Sequence, residues 1–219
     1  MNRQAVVAEF LGTAFLLAAV VGSGIMGERL AQGNLAIALL ANSMATGAML
    51  VVLILAFGPL SGAHFNPIVT LVMAFQNGGT LRQISQYLGA QLAGAFVGVA
   101  SANLMFGLPP FSMSQHVRAG GAQMFSEFVA TFGLLMVILV CATYRPAAIA
   151  YAVAGYITAA YWFTASTSFA NPVVTLARAF TDTFSGIRLL DAPAFVVAQL
   201  CGGASAVGLF RWMVRKGTA

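Results

Sequence analysis

Among the polar groups that stand inside or between the long apolar runs of this chain, two glutamates, two histidines and two Asn-Pro pairs each suggest a chemistry. Glu9 and Glu127 fall within apolar sequence, where an ionisable side chain is costly and usually has a purpose. Proton relay is one such purpose. The other is to accept hydrogen bonds from N–H groups that a nearby loop cannot satisfy for itself. The second reading is preferred, because the two glutamates share a context. Ala8-Glu9-Phe10-Leu11-Gly12-Thr13 resembles Ser126-Glu127-Phe128-Val129-Ala130-Thr131, with a Thr one helical turn after each Glu. His64 could face a pore, brace its loop or ligate a metal. His116 is remote from it in sequence and no cysteine or carboxylate cluster accompanies either, so neither a metal nor another cofactor is expected. The chain has no H-E-x-x-H and no G-x-S-x-G, and no catalytic residue is assigned. Cys141 and Cys201 lie in apolar runs and read as small buried hydrophobes.

The two Asn-Pro pairs organise the rest. Ser61-Gly62-Ala63-His64-Phe65-Asn66-Pro67-Ile68-Val69-Thr70-Leu71 has a distant copy in Ser168-Phe169-Ala170-Asn171-Pro172-Val173-Val174-Thr175-Leu176. Asn is a favoured helix N-cap and Pro fits the first helical position, so each copy predicts a loop that turns abruptly into a helix. Capping uses the side-chain oxygen and leaves the amide NH2 of Asn66 and Asn171 free to donate. The loop residues Gly62, Ala63, His64, Phe65, Thr167, Phe169 and Ala170 are expected to line a passage or to be braced by Glu9 and Glu127. Irregular backbone at membrane depth survives only around a water-filled cavity, which makes these segments re-entrant rather than ordinary turns.

That reading requires a membrane, and the composition supplies one. The 219 residues are 60% hydrophobic and 7% charged, with a mean hydropathy of +0.89, whereas soluble domains carry about 25% charged residues. The net charge of +5 falls between the apolar runs and at the termini, so no nucleic-acid partner is implied. Spans are predicted at about 5–26, 34–57 (ended by Gly58-Pro59), 82–106, 121–143, 147–164 and 191–213. The two short segments occupy 61–75 and 166–180, and a Gly- and Pro-containing linker covers 107–120. Ala90-Gln91-Leu92-Ala93-Gly94-Ala95 and Ala198-Gln199-Leu200-Cys201-Gly202-Gly203 add a third match between halves. Residues 1–106 and 121–219 therefore read as repeats within one domain, and with three spans each they must be inverted. Both termini on the cytoplasmic side would place Arg3, Arg82, Arg145, Arg211, Arg215 and Lys216 there, against Arg29, Arg118, Arg178 and Arg188 outside. The abundant Gly and Ala of the first, third and sixth spans suit close helix packing.

On Glu9 and Thr13, the Ser61 to Pro67 stretch, Gln91, Glu127 and Thr131, Asn171-Pro172 and Gln199, the chain resembles the aquaporin and aquaglyceroporin family over essentially its whole length. The resemblance implies an all-α membrane bundle of six spanning helices and two half-helices, one pore per protomer, and a homotetramer in the bilayer. The family's Asn-Pro-Ala is here Asn66-Pro67-Ile68 and Asn171-Pro172-Val173. The family's narrow filter is carried over to Thr46, Ala159, Ser168 and Val174, the last standing where relatives place an arginine. Arg178, one turn further on, is expected to be a solvent-side or interfacial charge near Asp182. A filter with no aromatic ring, no His and no Arg should be wide. The resemblance then implies a passive bacterial inner-membrane channel for water and small neutral solutes, with glycerol and arsenous acid as candidates. An ion-coupled secondary transporter also uses broken helices in inverted repeats, and a mainly water-selective pore is the other alternative.

Overall fold

The computed structural model describes residues 3–215, and Lys216, counted above in the charge balance, lies outside them. The described residues are all-helical: α1 (Arg3–Leu30), α2 (Leu35–Ser61), α3 (Pro67–Asn77), α4 (Leu81–Met105), α5 (Gly121–Tyr144), α6 (Ile149–Phe163), α7 (Pro172–Arg178) and α8 (Ala192–Arg215). Local sequence sets most of the starts. Asn34 accepts from the N–H groups of Ala36 and Ile37 at the head of α2, and Thr80 with Gln83 forms a reciprocal capping box before α4. Five segments, α1, α2, α4, α5 and 189–214, are long and apolar enough to cross a membrane. The expected fifth span is shorter than predicted, because Pro146–Ala148 forms a 3-10 turn ahead of it and leaves α6 with 15 residues. Gly58-Pro59 does not end α2. The helix continues to Ser61 and stops at Gly62, whose left-handed φ of 85° and N–H bond to the Gly58 carbonyl close the last turn.

Two packings recur. α1 lies against α4 and α2, and α5 lies against α8 and α6, while α2 meets α6. Glycines permit the closest approaches. A Cβ at Gly94 or Gly98 of α4 would run into the carbonyl oxygens of Phe10 and Ala14 on α1, and one at Gly202 of α8 into that of Phe128 on α5. Backbones in such contact gain van der Waals attraction that larger side chains would prevent. The outward faces carry large exposed hydrophobics such as Phe15, Leu40, Val52, Phe125 and Trp212, as a protein solvated by lipid requires. Cys201, expected in the interior, is exposed on such a face, and Cys141 is half-buried.

Candidate functional site

The loops before α3 and α7 are folded alike. At four, three and one residues before the Asn, the first has positive φ at Gly62 (85°), Ala63 (50°) and Phe65 (49°), and the second at Thr167 (61°), Ser168 (52°) and Ala170 (49°). Left-handed backbone costs non-glycine residues roughly 1–3 kcal/mol each at such sites and persists only where the surroundings enforce it. Two glutamates do the enforcing. Glu9 Oε1 accepts from Ser61 Oγ (2.6 Å) and His64 N–H (2.9 Å), while Oε2 accepts from Phe65 N–H and Gln91 Nε2, both at 2.7 Å. Glu127 accepts from the N–H groups of Phe169 and Ala170, both at 2.9 Å, and from Gln199 Nε2 at 2.6 Å. Gln91 and Gln199 also donate to Thr70 and Thr175, at 2.9 and 2.8 Å, so each carboxylate is tied to the half-helix that its loop precedes.

Asn66 caps α3 by accepting from Ile68 N–H at 2.9 Å, and Asn171 caps α7 by accepting from Val173 and Val174. Their NH2 groups are not wholly free, as the capping argument alone would have it. Asn66 Nδ2 donates to the Ala170 carbonyl and Asn171 Nδ2 to the Phe65 carbonyl, each at 2.8 Å. The two loops are thereby stitched head to head, and one N–H per amide remains. Ile68 and Val173 are buried in the hydrophobic core. The space Ile68 needs comes from Gly203 of α8, where a Cβ would meet its methyl group at 2.6 Å; Ala95 stands at the matching place in α4.

Around the junction runs a cavity of about 440 Å³, far larger than the roughly 30 Å³ share of one water molecule. Its wall from α1, α5 and most of α6 is aliphatic, with Leu16, Val20, Leu134, Ile138, Val153 and Ile157. Its polar groups come from the loops, from Asn66, His64, Ser168 and Asn171, and from Thr46, Tyr161 and Arg178. His64 is held there by Nδ1 against Thr70 Oγ1 (3.2 Å) and by its ring against Tyr87. Among the described residues no group of three or more His, Cys, Asp or Glu could hold a metal ion.

Of the four expected filter residues, Thr46, Ser168 and Val174 line this cavity and Ala159 does not. Ala159 is exposed on the outer side of α6. The inward stripe of that helix is Val153, Ile157 and Tyr161, spaced four apart, and a residue two positions from Tyr161 is turned about 200° from it. Tyr161, 3% exposed, sets its hydroxyl 3.2 Å from that of Thr46 across the wall. An aromatic ring therefore stands beside Thr46 in the cavity wall, contributed by a residue outside the four expected positions. Arg178 also departs from expectation: it is 2% exposed, lines the cavity and forms no salt bridge with Asp182. Its Nε donates to the Ser185 carbonyl and its guanidinium lies 3.4 Å from the centroid of Phe169. Asp182 instead accepts from Gln115 N–H. The spacing Val153, Ile157, Tyr161 was available in the sequence to find the first of these. Nothing local foretold the second.

The profile of the family described as Major intrinsic protein matches residues 1–148. The chain is 57% identical over 209 residues to "Aquaglyceroporin AqpS" of Rhizobium meliloti (strain 1021), covering 95% of this chain and 89% of that protein. It is 34% identical over 142 residues to "Aquaporin NIP1-1" of Oryza sativa subsp. japonica, where the match spans 49% of the plant protein. Among solved structures, the aquaglyceroporin from Plasmodium falciparum superposes with a TM-score of 0.77 over 96% of both chains at 24% identity, a likeness of fold.

Proposed function

The chain belongs to the major intrinsic protein family, integral membrane proteins that act as passive channels and not as enzymes, and on that premise we propose the solutes it conducts. They are water and small neutral hydroxylated molecules, glycerol and arsenous acid among them. The observation that carries this reading is the two-sided cavity: an aliphatic wall from the spanning helices faces polar groups supplied by the loops and by Asn66 and Asn171. A polyol or an uncharged metalloid hydroxide presents hydroxyl oxygens to the remaining amide N–H groups and its other surface to the aliphatic side. Val174 in the wall, where the resemblance led one to expect an arginine, leaves more room beside Ser168. The partial positive charge at the start of α3 and α7 disfavours cations at the junction. Solute-driven swelling of proteoliposomes tests the assignment.

The name of the rhizobial relative supports a polyol-conducting rather than a strictly water-selective reading. We further read the chain as one channel domain of inverted halves, assembled as a homotetramer in a bacterial inner membrane with both termini cytoplasmic. The matching loop conformations and carboxylate brackets of the two halves support the repeat, and the broad apolar exterior supports contacts with lipid and with neighbouring protomers.

A further inference from the structure

We infer that Arg178 supplies the fixed positive charge at its end of the passage, in place of the arginine absent at Val174; the inference rests on the channel reading above. Four observations carry it. The side chain lines the cavity together with Ser168, Val174 and Tyr161, although it stands a full helical turn past the vacated position. It is 2% exposed, so its charge is withdrawn from bulk water. No carboxylate lies within salt-bridge distance of it among the described residues, where Arg188 with Asp191 forms the ion pair. Among the described residues its one hydrogen bond is from Nε to the Ser185 carbonyl.

A buried guanidinium without a carboxylate is expensive unless its donors meet acceptors. Here the acceptors are oxygens passing through the cavity. The placement follows from the shortness of α7: the helix ends at Arg178, and the chain turns at Ala179 and Phe180. Ser185 thus approaches from one side and the Phe169 ring from another. Arg118 lies over the same ring at 5.1 Å to the centroid but is committed elsewhere, to the carbonyls of Gly186 and Ser166. Arg178 is thus the arginine aimed at the solute, rejecting small cations and donating to solute oxygens.

The test uses the full-length protein in liposomes. Wild type should pass water and glycerol and exclude methylammonium. Arg178→Met should raise methylammonium flux about tenfold or more while water still passes, and adding Val174→Arg to that variant should restore exclusion. A folded, water-conducting Arg178→Met channel that excludes methylammonium like wild type would overturn the inference and leave the channel reading intact. Wild-type protein that conducts neither water nor glycerol would overturn both. Labelling of Val174→Cys, with Cys141 and Cys201 replaced by Ala, keeps Arg178 in place and covers the case in which Arg178→Met fails to fold. An anionic methanethiosulfonate should react about tenfold faster than a cationic one after each rate is divided by that for a free thiol. Equal normalised rates, or no reaction with either reagent, would also overturn the inference.

Discussion

Asn66 and Asn171 each hold the loop that carries the other: their amide nitrogens donate crosswise to the carbonyls of Ala170 and Phe65, both at 2.8 Å. Each side chain also caps its own half-helix, so one residue fixes where a helix begins and where the opposite helix begins. Replacing either Asn by Ala removes a cap and a buried cross-loop bond and should cost about 2–4 kcal/mol. The double variant should lose less than the sum, since the first change already releases the partner loop. Thermal unfolding of the detergent-solubilised protein measures both.

Glu9 should tolerate neither Ala nor Gln. Its two oxygens accept from four donors, and an amide offers one oxygen and an NH2 that would face N–H groups. Glu9→Gln is expected to destabilise by roughly 2 kcal/mol or more, and Glu9→Ala by more again. The same order is expected at Glu127. A proton-relay role predicts otherwise, namely normal stability with altered proton flux, and unfolding midpoints set beside proton-leak rates separate the two.

Much of this site was legible because its signals are local. An Asn followed by Pro caps a helix wherever it stands, and a Glu or Gln inside an apolar run must find polar partners. What was not legible depends on non-local geometry. Counting residues back from Asn171 to α6 fails at Ala159 because the connecting chain from Thr164 to Ala170 includes three left-handed residues, and the register of the helix cannot be carried through them. The helix's own periodicity, Val153, Ile157, Tyr161, is the better guide. Arg178 was misjudged for a different reason. Its surroundings, Phe169 and Ser185, lie on either side of α7 in sequence, and because that helix ends at Arg178 the chain turns back and brings Ser185 to the side chain.

The corrected register of α6 is itself testable. Ala159→His should leave the glycerol-to-water permeability ratio within about twofold, because the side chain faces away from the cavity. Tyr161→Ala removes a ring from the wall and should raise that ratio about tenfold. Stopped-flow light scattering on both variants reads the ratio directly.

Packing between α1 and α4 should be intolerant of any side chain at Gly94. A Cβ there would meet the Phe10 carbonyl oxygen and lie 3.1 Å from its carbon, which is backbone that cannot rotate away. Gly94→Ala is expected to cost roughly 1–3 kcal/mol. Gly89, whose Cβ would meet open space, should accept Ala with a small gain in stability. Paired thermal-unfolding measurements on the two variants check the contrast.

The most direct test of the solute assignment is stopped-flow permeability of the purified wild-type protein in liposomes, comparing water, glycerol and arsenous acid with protein-free vesicles. The expected result is flux of all three well above the lipid background. Water moving alone, with glycerol and arsenous acid at the background rate, would contradict it.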